Sequence, residues 1–159
     1  MKYFSSQRVI KLTNRIVSIV DDETDITTLF HDALQNIPGI AVFTFNDPIL
    51  ALEHFQMNEF AYVLVLSDLR MPGLSGMEFL KKVKNSNRFV RTILMTAFSI
   101  DDKIFEEYTR KKIINACIQK PIKIPNLIDE VNTQLHSYEM QEISTNKMRF
   151  YLIYKKHFC

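Results

Sequence analysis

The chain has 159 residues, enough for one ordinary domain and a short tail, and 47% of them are hydrophobic, enough for a packed core. Its two cysteines, Cys117 and Cys159, are far apart, which excludes a disulfide framework or a cysteine-based zinc site and points to a reducing, cytoplasmic setting. The net charge of +2 hides an asymmetry: eight of 20 basic residues lie in two acid-free ends, 1–15 and 143–159, leaving 12 against 18 acidic residues between them. Basic ends read first as solvated tails, and more sharply as surfaces for an anionic partner. The start has no apolar signal region and no apolar run is long enough for a membrane span.

Residues 1–14 have no clear period and form a leader. Arg15 to Val20 is a strand that runs into Asp21-Asp22-Glu23. Ile26, Leu29, Phe30, Ala33, Leu34 and Ile37 then recur at helical spacing, and Pro38-Gly39 stops that helix. Ile40 to Phe45 is a second strand. Asp47-Pro48 opens the next helix with an N-cap carboxylate and a proline at its first position, and Ala51, Leu52 and Phe55 give its buried face.

The third strand begins with five apolar residues, Tyr62-Val63-Leu64-Val65-Leu66, as in a strand buried on both faces, and ends at Asp68. Met71-Pro72-Gly73 suits a type II turn. Ser75 with Glu78 makes a capping box for a helix to about Asn85, with Met77, Leu80 and Val83 inward. Thr92 to Thr96 is the fourth strand. A weakly periodic helix over Asp101–Lys111, with Ile104, Phe105 and Tyr108 inward, buries little. Asn115 to Gln119 is a short fifth strand closed by Lys120-Pro121. Pro125 starts a last helix whose face is Leu127, Ile128, Val131, Leu135 and Tyr138. Residues 15–138 thus form one domain, and 139–159 a basic, aromatic tail too short for an output domain.

Five alternating strands and helices predict an α/β fold: a parallel sheet of order 2-1-3-4-5 with helices on both faces. In such a sheet the carboxyl ends of all strands share one edge. That edge collects Asp21, Asp22, Asp68, Thr96 and Lys120. Three adjacent carboxylates need a cation, and an oxygen-only donor set with water suits Mg²⁺. A carboxylate can also attack phosphorus to form an acyl phosphate. Asp68, on the central strand, is the expected nucleophile, with Lys120 and Thr96 placed to contact phosphoryl oxygens.

Val20-Asp21-Asp22-Glu23, Asp68 with Met71-Pro72-Gly73, Thr96-Ala97 and Lys120-Pro121 together resemble the receiver domain of two-component response regulators, over roughly residues 15 to 138. The resemblance implies that Asp68 accepts a phosphoryl group from a histidine kinase or phosphotransfer protein. It implies direct Mg²⁺ ligation by Asp22 and Asp68, a water-mediated role for Asp21, and a further ligand in the backbone carbonyl of Arg70. Thr96 and Lys120 would read the phosphoryl group, and the Lys–Pro bond is often cis in the family. Two departures stand out. Cys117 occupies the position of the family's aromatic switch residue, the partner of Thr96, and a small thiol, expected in the core, cannot swing as a ring does. Arg70 and Phe98 flank the acceptor and are expected to shield the acyl phosphate from water.

The implied function is a stand-alone phosphorylatable switch acting on an effector protein. Catalysis is expected only of its own phosphorylation and dephosphorylation. Direct DNA binding is not expected, and the tail offers a surface for a second copy. The alternatives are a phosphorylation-independent interaction module, against which the complete acidic, Thr and Lys set speaks, and a dehalogenase-type phosphatase. The latter wants an Asp-x-Asp pair after the first strand, which Asp21-Asp22-Glu23 lacks.

Overall fold

The computed structural model describes residues 15–97 and 102–158. The leader 1–14, Phe98 and Cys159 lie outside them. The elements run β1 (Arg15–Val20), α1 (Thr24–Leu34), β2 (Ile40–Phe45), α2 (Pro48–Met57), β3 (Tyr62–Asp68), α3 (Gly76–Ser86), β4 (Arg91–Thr96), α4 (Asp102–Arg110), β5 (Ala116–Gln119) and α5 (Ile124–Phe158). The five strands are parallel, in the order β2-β1-β3-β4-β5. This is the α/β order that strict alternation predicts.

The period of two along each strand divides the core into two layers. Val17, Ile19, Leu64, Leu66, Ile93 and Met95 face α1 and α5, meeting Phe30, Leu34, Leu127 and Val131. Tyr62, Val65 and Leu94 face the other side, where Phe55, Phe79, Leu80 and Val83 of α2 and α3 cover them. Every residue of β3 is buried, as its unbroken apolar run requires.

Local signals hold at the helix starts. The Asp47 carboxylate accepts the Ile49 N–H at 2.8 Å, with Pro48 opening α2. Ser75 and Glu78 form the reciprocal capping box of α3. Gly73 takes a φ of 84°, the left-handed value the turn needs. Two apolar faces are narrower than the spacing suggests. Leu29 is exposed while Thr27 turns inward on α1, and Ile104 is exposed on α4, leaving Phe105 and Tyr108 half-buried.

Two expectations need correction. Cys117 is exposed rather than buried in the core. It lies on the edge strand β5, where Ala116 and Ile118 take the inward positions against α5's layer and the opposite face is left open. The separate tail is also corrected: α5 runs unbroken for 35 residues, to Phe158. No glycine or proline occurs after Pro125, so nothing stops the helix. Arg15 anchors its middle, with Nη1 2.7 Å from Glu139 and Nη2 3.4 Å from Glu142. Residues 143–156 are exposed. Among the described residues no helix is long and apolar enough to cross a membrane.

Two buried titratable groups set an alkaline stability profile. Burial, with Arg91 and Lys112 nearby, pushes the Lys84 ammonium down to about 7. Burial pushes Tyr62 up to about 12, partly opposed by a hydrogen bond with Ser18. An unfolded lysine titrates near ~10.4, so between about 7 and ~10 the unfolded chain holds the extra proton and stability rises with pH. Above ~10 an unfolded tyrosine ionises while folded Tyr62 does not, and stability falls. The urea midpoint is therefore expected to climb from neutral pH to about 10 and then decline. Lys84→Met should flatten the climb and Tyr62→Phe should weaken the decline. A wild-type midpoint constant from neutral pH to about 10 would show that Lys84 is not held neutral by the fold.

Candidate functional site

The carboxyl edge of the sheet gathers the polar residues that the strands end on. The β3 strand carries Asp68 at its last position, opposite Met95 in the ladder, and β4 ends one residue further on, at Thr96. Asp21 and Asp22 follow β1, and Lys120 follows β5. Backbone hydrogen bonds pin these ends: Asp21 N–H to Phe45 O at 3.1 Å, Leu69 N–H to Met95 O at 2.8 Å, and Lys120 N–H to Thr96 O at 2.8 Å.

Asp21 is fully buried, Asp68 is 8% exposed, and Asp22 faces solvent. One carboxylate oxygen from each lies within 4.8 Å of the other two. The Lys120 ammonium bridges two of them, 2.7 Å from Asp21 Oδ2 and 2.9 Å from Asp68 Oδ1, with Glu23 Oε1 farther off at 3.9 Å. Burial alone would lower the Lys120 pKa, but the hydrogen bonds to Asp21 and Asp68 outweigh it and raise it. The free oxygens are held too. Glu23 N–H donates to Asp21 Oδ1 at 3.0 Å, and Arg70 N–H donates to Asp68 Oδ2 at 3.1 Å. The donor set is all oxygen and partly open to solvent through Asp22, which fits a hard cation such as Mg²⁺.

Thr96 is buried at the end of β4, and the Lys120–Pro121 bond is cis. Cys117 lies on β5, three residues before Lys120, with its side chain exposed. Asp21, Asp22, Asp68, Thr96 and Lys120 thus share one edge, with the Arg70 backbone beside the acceptor. The Cys117 side chain stays on the open face of β5.

Comparison with known proteins bears on this arrangement. The family model for the response regulator receiver domain matches residues 17–132. The chain belongs to the receiver domain family of response regulators. It is 30% identical over 124 residues to sporulation initiation phosphotransferase F of Bacillus subtilis (strain 168), covering 78% of this chain and 96% of that protein. It is 29% identical over 131 residues to the DNA-binding transcriptional regulator NtrC of Escherichia coli (strain K12), covering 82% of this chain but spanning only 27% of NtrC's length. A CheY-like receiver domain protein from Methanospirillum hungatei JF-1 shares the fold, with a TM-score of 0.71 at 23% identity, over 81% of this chain and 99% of that one.

Two residues of this receiver position the site and carried no signal of that role in the sequence. Asn46 Nδ2 donates to Asp21 O at 2.8 Å and to Thr27 Oγ1 at 3.2 Å, tying the acidic loop to α1. Gly76 opens α3 directly against the acceptor. Its N–H donates to Leu69 O at 2.8 Å, and a Cβ on it would lie 2.0 Å from the Asp68 carbonyl oxygen and 2.9 Å from its carbon. Both atoms are backbone, so they cannot swing aside. Gly76→Ala is expected to push α3 away from β3, costing about 2–3 kcal/mol of stability. It should also misplace Asp68 and slow its modification. Unchanged denaturation and unchanged modification in that variant would show that α3 can retreat without disturbing the acceptor.

Proposed function

We propose that this receiver is a Mg²⁺-dependent phosphorylatable switch whose acceptor is Asp68. The observation that carries the reading is the position of Asp68 on the central strand, 2.9 Å from the Lys120 ammonium and grouped with Asp21 and Asp22. In the reaction, an Asp68 carboxylate oxygen attacks the phosphorus of a phosphohistidine on a histidine kinase or phosphotransfer protein. The P–N bond breaks, the electron pair returns to the imidazole nitrogen, and an acyl phosphate forms. Bound Mg²⁺ would supply charge neutralisation for the phosphoryl oxygens, held by Asp22 and Asp68 directly, Asp21 through water, and the Arg70 carbonyl. Arg70 N–H orients the carboxylate through Oδ2. Lys120 is tethered by the fully buried Asp21, so its charge stays beside Asp68. The Thr96 hydroxyl donates to another phosphoryl oxygen.

The output is a change in protein contacts on the α4, β5, α5 face, in a cytoplasmic phosphorelay. An exposed Cys117 cannot report the state of Thr96 by swinging inward as a ring. The exposed part of α5 is the surface for a second copy of the chain. The relatives support a phosphorelay role, since one is itself named a phosphotransferase. Intact-protein mass after incubation with Mg²⁺ and a small acyl-phosphate donor tests the reading. Gain of one phosphoryl group is the expected result. No gain, with a phosphotransfer protein as donor as well, would leave a phosphorylation-independent interaction module.

A further inference from the structure

The opposite edge of the sheet holds a second polar site that the phosphoacceptor chemistry does not use. A cavity of about 560 Å³ opens there between the end of α3, the end of α4 and the middle of α5. Lys81, Lys84, Arg88, Lys111 and Lys112 line it, against the single carboxylate of Glu107. Glu107 is already paired with Lys111. Lys81, Arg88 and Lys112 are therefore left as three cations with no further carboxylate in the lining to balance them, and Lys84, lowered to about 7, adds only part of a charge at neutral pH. Its size is that of a small-molecule site rather than a gap between side chains.

The lining is built as follows. Lys112 has a φ of 56°, in the left-handed region where glycine is favoured, at the turn that ends α4. Lys84 is held at the base of the cavity by Val90 O and Asn115 Oδ1, at 2.5 and 2.9 Å, close enough to Lys112 for their charges to oppose each other. Gln141, on α5, lines the same cavity, and its buried Nε2 has no hydrogen-bond partner among the described residues. The unbalanced cations of the lining are relieved by a guest rich in anionic oxygen.

The cavity is not purely polar. Phe89 is 40% exposed at its rim, with the Arg88 guanidinium 4.8 Å from the ring centroid, and Tyr108 forms part of the wall. Such a rim stacks a flat ring. We propose that this cavity binds an organic phosphate of nucleotide type, with its phosphates among Lys81, Arg88 and Lys112 and its ring against Phe89. The site is separate from Asp68 and stands whether or not Asp68 is phosphorylated.

The test is calorimetric titration of the full chain with ATP, in EDTA so that no metal carries nucleotide to the acidic edge. Inorganic pyrophosphate and a glutamate-rich peptide serve as separate titrants. One-site saturation by ATP is expected, with affinity about tenfold weaker in Lys81→Gln, Arg88→Gln and Lys112→Gly. Lys112→Gly also guards against a folding artefact, because glycine suits that φ and its melting temperature should match or exceed wild type. Lys155→Gln with Lys156→Gln, on the exposed end of α5, should bind as wild type does. Absence of saturation, equal affinity across the cavity variants, or pyrophosphate or peptide binding as tight as ATP would each overturn the assignment.

Discussion

Asp68→Ala is expected to abolish the phosphoryl adduct that the wild-type chain gains from an acyl-phosphate donor, while leaving the fold standing. The first half follows from geometry. Asp21 is fully buried and engaged by both Lys120 and the Glu23 N–H, so it cannot reach an incoming phosphorus. Asp22 is exposed but lies beyond the end of β1, off the central strand. Asp68 alone combines partial access, a carboxylate oriented by a backbone N–H, and a neighbouring ammonium. The second half follows from charge. Removing Asp68 takes away one partner of Lys120 but also relieves the repulsion of three clustered carboxylates, and the Asp21 pair remains. Stability is therefore expected to stay within about 1 kcal/mol of wild type, which denaturant titration would show. Chelating Mg²⁺ with EDTA should suppress the wild-type adduct as well, because clustered carboxylates repel an anionic donor. An adduct of equal yield on Asp68→Ala would move the acceptor elsewhere and remove the basis of the switch.

Much of this was legible in the chain because it rests on local rules. The alternation of apolar strand runs with helical spacing sets the sheet order, and sheet order alone brings Asp21, Asp68, Thr96 and Lys120 to one edge. The capping box at Ser75 and the proline after Asp47 are likewise chemistry of neighbouring residues. What stayed hidden depends on contacts between segments. A glycine opening a helix reads as ordinary turn chemistry, and only the packing of α3 on β3 shows why Gly76 tolerates no side chain. Period two says that Cys117 and Ala116 face opposite ways, but not which side of an edge strand is covered. The length of α5 was open to reading from the missing glycines and prolines. Residues 143–156 are exposed all round, so no apolar stripe marks them as a continuation of the helix. The cationic cavity joins α3, the α4–β5 turn and α5, which no sequence window contains.

Lys120→Met should have the opposite signature to Asp68→Ala: large loss of stability together with loss of function. Its ammonium is 14% exposed and contacts a fully buried carboxylate and a nearly buried one at 2.7 and 2.9 Å. Removing one member of a buried, hydrogen-bonded ion pair strands the other, and such losses run to about 3–5 kcal/mol. Methionine keeps most of the stem's volume, so little of the effect is a packing defect. In EDTA the variant is thus expected to unfold at markedly lower urea than wild type. A divalent cation placed among the same oxygens substitutes for the lost charge, so Mg²⁺ should stabilise Lys120→Met more than it stabilises wild type. The substitution does not touch Asp68 itself, so any adduct formed at saturating Mg²⁺ measures how much the ammonium contributes to transfer. That rate is expected to fall at least about tenfold, the effect of one charge-assisted contact to the phosphoryl group. If Lys120→Met in EDTA matched wild type in stability, the carboxylates would not need Lys120 to share the edge.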